Sequence, residues 1–267
     1  TPLQTLFPYT TLFRSTVAEA VKALKREDAQ ALGGGQTLIP TLRSRLASPS
    51  ALVSLNGIAE MIGVCVTDDG MLAIGGATPH AVVAKEAKKH YPALAALAGN
   101  IGDPAVRSRG TIGGSLANND PAACYPSAVL ASGATVVTNK RKIAADKFFQ
   151  GMFTTALGEG EIITEVRFPI PKKANYQKFL QPASRFALTG VFVAKFDDVV
   201  RVAVTGASEG GVFRWKEAEA ALTKSFRPDA LKGLKVKPKG MIADLHGTPE
   251  YRAHLVGVLT ARAVAAA

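Results

Sequence analysis

Two glycine-rich stretches lie far apart in the sequence, Gly33-Gly34-Gly35-Gln36-Thr37 and Thr111-Ile112-Gly113-Gly114-Ser115, and both are flanked by apolar segments. Consecutive glycines can take positive φ, and their unshielded N–H groups can approach an anion closely. The neighbouring Gln, Thr and Ser side chains add neutral hydrogen-bonding groups. The pair therefore predicts two turns that wrap a diphosphate, although each stretch alone is also typical of an ordinary tight turn.

Neither stretch matches the common nucleotide-binding motifs. The third glycine of a dinucleotide fingerprint would fall on Leu38, and the sequence has no Gly-Lys-Ser/Thr step of a P-loop. It also lacks a Gly-x-Ser-x-Gly elbow, a His-Glu-x-x-His helix and an obvious Cys-His pair. We therefore predict a cofactor-binding chain without catalytic side chains of its own.

Hydrophobic periodicity predicts an α+β fold in which helices and short strands alternate. A strand at 30–32, a helix at 37–46 and a strand at 52–55 predict a βαβ-like first subdomain, residues 16–57. In the second subdomain, 58–170, the turn Asp68-Asp69-Gly70 indicates a hairpin. The further elements expected there are helices at 78–89, 91–97 and 121–132, and strands at 134–138 and 161–168.

A domain boundary is expected at the closely spaced prolines Pro169 and Pro171, because proline interrupts both helices and strand ladders. Residues 171–267 are expected to form a small antiparallel sheet followed by helices. The last helix has the strongest signal, with Thr248 as its cap and Pro249 in its first turn.

The 267-residue chain has a net charge of +11, and most of the excess lies after residue 171, where 16 Lys and Arg face 8 Asp and Glu. A cluster of lysines there predicts a solvated loop or a surface for an acidic subunit: Lys232, Lys235, Lys237 and Lys239. A basic nucleic-acid-binding module is the weaker alternative, because aromatic residues are not interleaved with the lysines. No apolar run reaches the ~18 residues of a membrane span.

Cysteine and histidine usage points to a cytoplasmic protein without a metal site. Cys65, in a strand-like apolar run, is expected to be a buried free thiol, and Cys124 to lie in a helix. The four histidines have no metal-ligand spacing, and His80 is expected near a helix cap.

Residues 31–40 and 101–115, in this order, resemble the FAD-binding medium subunit of molybdenum hydroxylases, especially the carbon monoxide dehydrogenase type, which is related to the flavin domain of xanthine dehydrogenase. The resemblance runs from about Thr16 to the C-terminus and includes 178–179 and 242–248. It implies a two-subdomain FAD-binding domain of the PCMH type at 16–170, a flavoprotein C-terminal domain at 171–267, and FAD as the bound cofactor.

The resemblance also implies which residues bind the cofactor. The pyrophosphate contacts would come from Gly33, Gly34, Gly35, Gln36, Thr37, Thr111, Gly113, Gly114 and Ser115. Asn118 falls where the family keeps a small polar residue near the flavin nucleotide, and Ile163 and Lys178 match positions near the flavin ring. From the residues alone, Ile163 equally fits a buried strand position and Lys178 a solvated strand face.

One position departs from the family pattern. Many members carry an Asp that reaches a ribose hydroxyl where this chain has Cys124, and a thiol cannot replace a carboxylate acceptor. We expect Asp120 or a backbone group to bind the ribose instead, or the ribose to be held more loosely. Arg107 and Arg109 either screen the phosphate or brace the loop by bonding carbonyl groups, and we favour bracing.

The first residues differ from the rest. Residues 5–15 resemble the in-frame translation of a widely used short-read sequencing adapter, so residues 1–15 are predicted to be a non-native leader. A signal peptide is excluded, because Pro8 and polar residues interrupt the apolar run. Relatives open with a short strand, and we expect Leu6, Phe7, Leu12 and Phe13 to take its place.

By the resemblance, the chain passes electrons from [2Fe–2S] centres of a small subunit through FAD to an external acceptor. A large subunit would carry molybdenum with molybdopterin-cytosine dinucleotide and hydroxylate the substrate. The expected assembly is a dimer of heterotrimers. A stand-alone FAD-dependent oxidoreductase is the alternative enzyme, although the residues after Pro171 are few for a substrate domain.

Overall fold

A computed structural model of the protein describes residues 10–267. Its first part is a three-stranded parallel sheet with strand order β1-β3-β2. The elements are β1 (Thr10–Phe13), α1 (Val17–Ala23), β2 (Ala29–Leu32), α2 (Leu38–Arg43) and β3 (Ala51–Ser54). Every residue of the central strand β3 is buried, as expected for a parallel strand covered on both faces. The predicted βαβ unit is thus present.

Strand β1 falls within the predicted leader. Its four residues pair in parallel with Ala51–Ser54, so Leu12 and Phe13 take the strand position expected for them. Leu12 packs against the hydrophobic core of this first part of the fold, whereas Phe13 is 76% exposed. Leu6 and Phe7 lie outside the described residues. The origin of the leader stays a prediction.

The second part is a five-stranded sheet with strand order β4-β5-β10-β6-β7, all antiparallel, and a set of helices packed on it. The helices are α3 (His80–Glu86), α4 (Pro92–Gly99), α5 (Pro104–Arg109), α6 (Ile112–Asn118), α7 (Tyr125–Ser132) and α8 (Ala145–Phe148). The strands are β4 (Val64–Val66), β5 (Leu72–Gly75), β6 (Thr135–Thr138), β7 (Lys142–Ala144) and β10 (Ile163–Phe168), with a separate hairpin of β8 (Phe149–Gly151) and β9 (Thr154–Thr155).

Two expectations for this part are wrong. Cys65 is exposed rather than buried, because β4 is an edge strand of the sheet. The helix expected from residue 121 begins only at Tyr125, because Asp120 forms a local turn in which its Oδ1 accepts a hydrogen bond from Ala122 N, at 2.8 Å. Buried Cys124 therefore precedes α7 instead of lying inside it.

The last part is a four-stranded antiparallel meander followed by two helices, as predicted. Its elements are β11 (Lys173–Leu180), β12 (Ala187–Lys195), β13 (Val200–Thr205), β14 (Phe213–Arg214), α9 (Lys216–Lys224) and α10 (Pro249–Ala265). Thr248 caps α10 by accepting a hydrogen bond from Tyr251 N, with Pro249 as the first helical residue. Fully buried Arg252 ties this helix to the sheet by donating to the carbonyls of Leu188 and Gly206, both at 2.6 Å.

Strand β12 joins this sheet to the rest of the molecule. Val191 and Val193 face a core formed with α9 and α10, whereas Phe192 and Ala194 belong to the large core of the second part. Because side chains alternate along a strand, β12 is buried on both faces. The meander is therefore held rigidly beside the helices α4 and α7, where the candidate site lies.

Candidate functional site

A cavity of about 620 Å³ lies where the three parts meet. This volume is within the usual range for small-molecule and cofactor sites. All thirteen residues predicted to bind the cofactor line it: Gly33, Gly34, Gly35, Gln36, Thr37, Thr111, Gly113, Gly114, Ser115, Asn118, Asp120, Ile163 and Lys178. The fold thus brings both glycine stretches, and the two distant residues predicted to lie near the flavin ring, to the wall of one cavity.

The first glycine stretch is the loop between β2 and α2. Within residues 10–267, the five consecutive amide groups from Gly33 to Thr37 donate no hydrogen bond to a protein acceptor. Gly35 has φ +72°, a conformation that other residues rarely adopt. Gln36 closes the loop by donating from Nε2 to the Gly34 carbonyl, at 3.1 Å. The loop therefore presents a run of free donors beside the cavity, as the sequence predicts.

The two glycine stretches pack directly on each other. A Cβ at Gly34 would lie 2.0 Å from the Arg109 carbonyl oxygen, and one at Gly33 would lie 3.0 Å from Thr111 Oγ1. Gly113 packs equally closely on the sheet, since its Cβ would lie 2.5 Å from the Gly76 carbonyl oxygen. Glycine is needed at these points because another residue would push the backbones apart.

The second stretch differs from the prediction. It is the capped first turn of α6, and its amides are already bonded: Gly113 N to Gly76 O (2.9 Å), Gly114 N to Thr111 Oγ1 (3.1 Å) and Ser115 N to Thr111 O (3.0 Å). It therefore forms no nest of bare N–H groups. Its glycines serve close packing, and Ser115 remains as a hydroxyl at the cavity wall.

Lys178 extends from β11 into the site instead of lying on a solvated strand face. Its ammonium donates to Asn100 O (2.6 Å), Arg185 O (3.2 Å) and Cys124 Sγ (3.5 Å). These partners come from the end of α4, the β11–β12 hairpin and the start of α7. Lys178 thus links the C-terminal sheet to the helices around the cavity.

Ile163, the other ring candidate, is the first residue of β10 and is buried. The strand approaches the sheet backbone closely here, since a Cβ at Gly76 would lie 2.1 Å from the Ile163 carbonyl oxygen. Asp120, another residue of the cavity wall, uses one carboxylate oxygen to accept the hydrogen bond of its own turn, from Ala122 N. The cavity wall is thus apolar at Ile163 and polar at Asp120.

Arg107 braces the loop, in agreement with the favoured interpretation. Its Nη1 donates to the carbonyls of Ile101 and Gly102, at 3.0 and 3.1 Å. Arg109 is exposed, and it is its carbonyl that lies against Gly34.

Sequence reasoning missed His80 as a cavity residue. It is the first residue of α3, next to the N-cap Pro79, so it lies near a helix cap as expected. It is also buried and lines the cavity, which the sequence did not predict. Its Nδ1 has no partner among the described residues, and its ring lies 5.3 Å from that of Tyr125. Burial and, to a smaller extent, the charge of Arg107 lower the pKa of His80 to about 4. The imidazole is therefore neutral near pH 7.

Glu161 is a second cavity residue that the sequence did not single out. Its carboxylate accepts hydrogen bonds from Thr138 Oγ1 (2.7 Å), Gly158 N (2.8 Å) and the Arg141 guanidinium (3.0 Å). The Arg141 hydrogen bonds, with those of Gly158 and Thr138, lower the pKa of Glu161 to about 2 despite its burial. This carboxylate fixes the corner that precedes Ile163.

Neither a metal site nor a membrane span is found in the described part of the chain. No group of three or more His, Cys, Asp or Glu residues within 10–267 could hold a metal ion. No helix in the same range is long and apolar enough to cross a bilayer.

Comparison with known proteins identifies the family. Residues 7–171 match the family described as "FAD binding domain in molybdopterin dehydrogenase". The chain belongs to the FAD-binding medium subunits of the molybdenum hydroxylases. It is 34% identical to the nicotine 6-hydroxylase medium subunit of Paenarthrobacter nicotinovorans, over 89% of each chain. It is 32% identical to the glyceraldehyde dehydrogenase medium chain of Sulfolobus acidocaldarius, over 93% of this chain and 94% of the relative.

A solved structure of the Cu,Mo-CO dehydrogenase in its cyanide-inactivated form shares the fold of this medium subunit. The TM-score is 0.86 at 27% identity, and 96% of each chain is covered. The predicted fold class, family, enzyme class and FAD dependence are thereby confirmed.

Proposed function

We propose that the cavity binds FAD with its pyrophosphate on the loop from Gly33 to Thr37. The observation that carries the proposal is the run of five amides without a protein acceptor, since successive N–H groups make an anion-binding concavity. The hydroxyls of Thr37 and Ser115 and the amide of Asn118 supply neutral donors beside it. The close packing of Gly34 on the Arg109 carbonyl and of Gly33 on Thr111 keeps the loop and the start of α6 near enough to hold one diphosphate between them.

The ribose is assigned to Asp120 rather than to Cys124. One oxygen of the Asp120 carboxylate is used in the local turn, and a carboxylate can accept further bonds from ribose hydroxyls. Cys124 is a weak acceptor and is already in contact with Lys178. Asp120 thereby takes the role that a carboxylate at position 124 has in many relatives.

The flavin ring is assigned to the end of the cavity near Ile163 and Lys178. The isoalloxazine supplies the electron-transfer chemistry, while the protein orients it and tunes its surroundings. Ile163 offers an apolar contact, and neutral His80 adds no charge to the wall. Lys178 holds the hairpin that carries Arg185 against α4 and α7, and so fixes the position of that end of the cavity wall.

We further propose that the chain passes electrons from [2Fe–2S] centres of a small partner subunit, through FAD, to an external acceptor. A large partner subunit with molybdenum and molybdopterin-cytosine dinucleotide would hydroxylate the substrate, in a cytoplasmic dimer of heterotrimers. The family membership supports this role, as do relatives whose names identify them as medium subunits of larger enzymes. In this scheme residues 16–170 form the FAD-binding domain and residues 171–267 the flavoprotein C-terminal domain.

The test is purification of the chain together with the proteins encoded beside its gene, followed by measurement of flavin, iron and molybdenum. We expect FAD on this chain and iron and molybdenum on co-purifying chains. Substrate added to the complex should reduce the flavin and bleach its absorbance. A chain that purifies alone, or a flavin that substrate does not reduce in the complex, would refute the proposed role.

A further inference from the structure

A second cavity, of about 700 Å³, lies in the C-terminal part of the fold, between α10 and the segment 228–238 that follows α9. It shares no lining residue with the cavity assigned to FAD. Its wall is apolar at Trp215 and along one face of α10, where small residues recur at every fourth position: Ala253, Gly257 and Ala261. A Cβ at Gly257 would meet nothing within 4 Å, so the groove along this helix is open.

The lysine cluster that the sequence singles out forms the rim of this groove. Lys232, Lys235 and Lys237 all line the cavity. Lys232 pairs with Asp229 at 2.8 Å, whereas Lys235 and Lys237 make no ion pair within residues 10–267. Among the described residues that line the cavity, only Glu250 is acidic. The rim therefore carries an excess of positive charge that the chain itself does not balance.

The segment 234–237 on this rim has the side-chain alternation of an extended chain. Leu234 and Val236 are half-buried against the core of the C-terminal part, whereas Lys235 and Lys237 are exposed. A hydrogen-bonded turn fixes each end of the segment, at 3.1 and 3.0 Å. Between the turns, the amides of residues 235–237 donate to no protein acceptor within residues 10–267. The segment thus presents free backbone donors together with its two lysines.

We propose that the segment 234–237 and the groove beside it bind an extended acidic segment of a partner subunit, in which apolar residues alternate with Asp or Glu. The proposal rests on the partner subunits of the proposed function. The backbone of the partner segment pairs with the free amides of residues 235–237, as in strand addition to an unpaired edge. Its apolar side chains lie beside Leu234 and Val236 over the small-residue face of α10, and its carboxylates lie opposite Lys235 and Lys237.

Charge and exposure favour this occupant over two others. A second copy of the chain has the same net charge of +11, so two copies repel each other. A single-stranded nucleic acid stacks its bases on accessible aromatic rings, whereas Trp215 in this groove is only 4% exposed. An acidic protein segment matches both the lysines and the apolar wall.

The test uses the complex purified with the proteins encoded beside the gene, and a carbodiimide, which joins a lysine amine to a carboxylate without a spacer. We expect a peptide that contains Lys235 or Lys237 to be joined to a partner peptide in which Asp or Glu alternates with apolar residues. The double variant Lys235→Glu/Lys237→Glu should bind its partners about tenfold more weakly, because two attractive charge pairs become repulsive. The matched control is Lys88→Glu/Lys89→Glu, which changes the net charge equally at two exposed lysines outside the groove.

Gly257→Leu tests the apolar wall. The new side chain enters the open groove, and leucine is favoured over glycine in a helix, so the chain should stay folded. This variant should weaken assembly more than Gly257→Ala does, because its side chain is longer. Both variants should bind FAD as the wild type does, because the two cavities share no residue.

The docking site is overturned if the Lys235→Glu/Lys237→Glu complex dissociates like the control, or if these lysines are cross-linked only to this chain. Salt-sensitive binding of a DNA duplex that the double variant loses would assign the lysines to nucleic acid, and would also overturn it. A complex whose flavin is reduced by substrate, and which assembles normally in all of these variants, would refute the docking site alone. A chain that purifies without partners would instead refute the proposed function, and the docking site with it.

Discussion

The Gly34→Ala substitution should weaken FAD binding more than an alanine at any other glycine of the first glycine stretch. The new Cβ would lie 2.0 Å from the Arg109 carbonyl oxygen. An ordinary contact needs about 3.4 Å, so the two backbones must separate by roughly 1.4 Å, and overpacking of this kind costs about 1–3 kcal/mol. Because 1.4 kcal/mol is a factor of ten in affinity, we expect FAD to bind about ten- to a hundredfold more weakly.

Two further substitutions make the experiment a graded series, read by titrating the FAD-free chain with FAD and following flavin fluorescence. Gly33→Ala places its Cβ 3.0 Å from the Thr111 side chain, which can move, so its effect should be smaller. Gly257→Ala in α10 meets nothing within 4 Å and should leave the affinity unchanged. Equal FAD affinity in the Gly34→Ala and Gly257→Ala variants would refute the packing argument.

Three other predictions concern stability, measured by urea unfolding. In the folded state the pKa of His80 is about 4, below its ordinary value of 6.5, so between these pH values only the unfolded state takes up the proton. Acidification from pH 6.5 to 4 should therefore lower the free energy of unfolding by up to about 3 kcal/mol. The His80→Gln variant should not show this dependence of stability on pH. The pKa of Glu161 is lowered to about 2 in the folded state. Its contribution to the free energy of unfolding, about 3 kcal/mol, is therefore present above pH 4.5 and disappears as the pH falls toward 2. Glu161→Gln should be less stable than the wild type at pH 7 but equally stable near pH 2. Arg252→Met should lower the free energy of unfolding by about 1–3 kcal/mol for each of two buried carbonyls, those of Leu188 and Gly206, because both lose their donor. A total loss below about 1 kcal/mol would contradict a structural role for Arg252.

The order of the elements could be predicted because each leaves a local signal. Thr248 and Pro249 mark the start of α10, and the turn at Asp68-Asp69-Gly70 does join β4 to β5. Which residues line the cavity was also predictable, because two long motifs in a fixed order indicate the family, and the fold brings the residues of both motifs to one cavity.

What the sequence could not provide depends on contacts between distant segments. Glycine at 113 fits both a turn and the tightly packed start of a helix, and only the approach of Gly76 distinguishes the two. The exposure of Cys65 depends on β4 being an edge strand, which is a property of the whole sheet. The position of His80 at the cavity also depends on a distant segment, because its backbone N–H donates to the Gly110 carbonyl.

A crystal structure of the chain soaked with FAD decides whether the loop from Gly33 to Thr37 binds the pyrophosphate. We expect the diphosphate to lie within about 3 Å of the amide nitrogens between Gly33 and Thr37, and the flavin ring to lie near Ile163 and Lys178. A diphosphate bound elsewhere, or amides of this loop that remain without a ligand while FAD is bound, would show that the loop is not the pyrophosphate site.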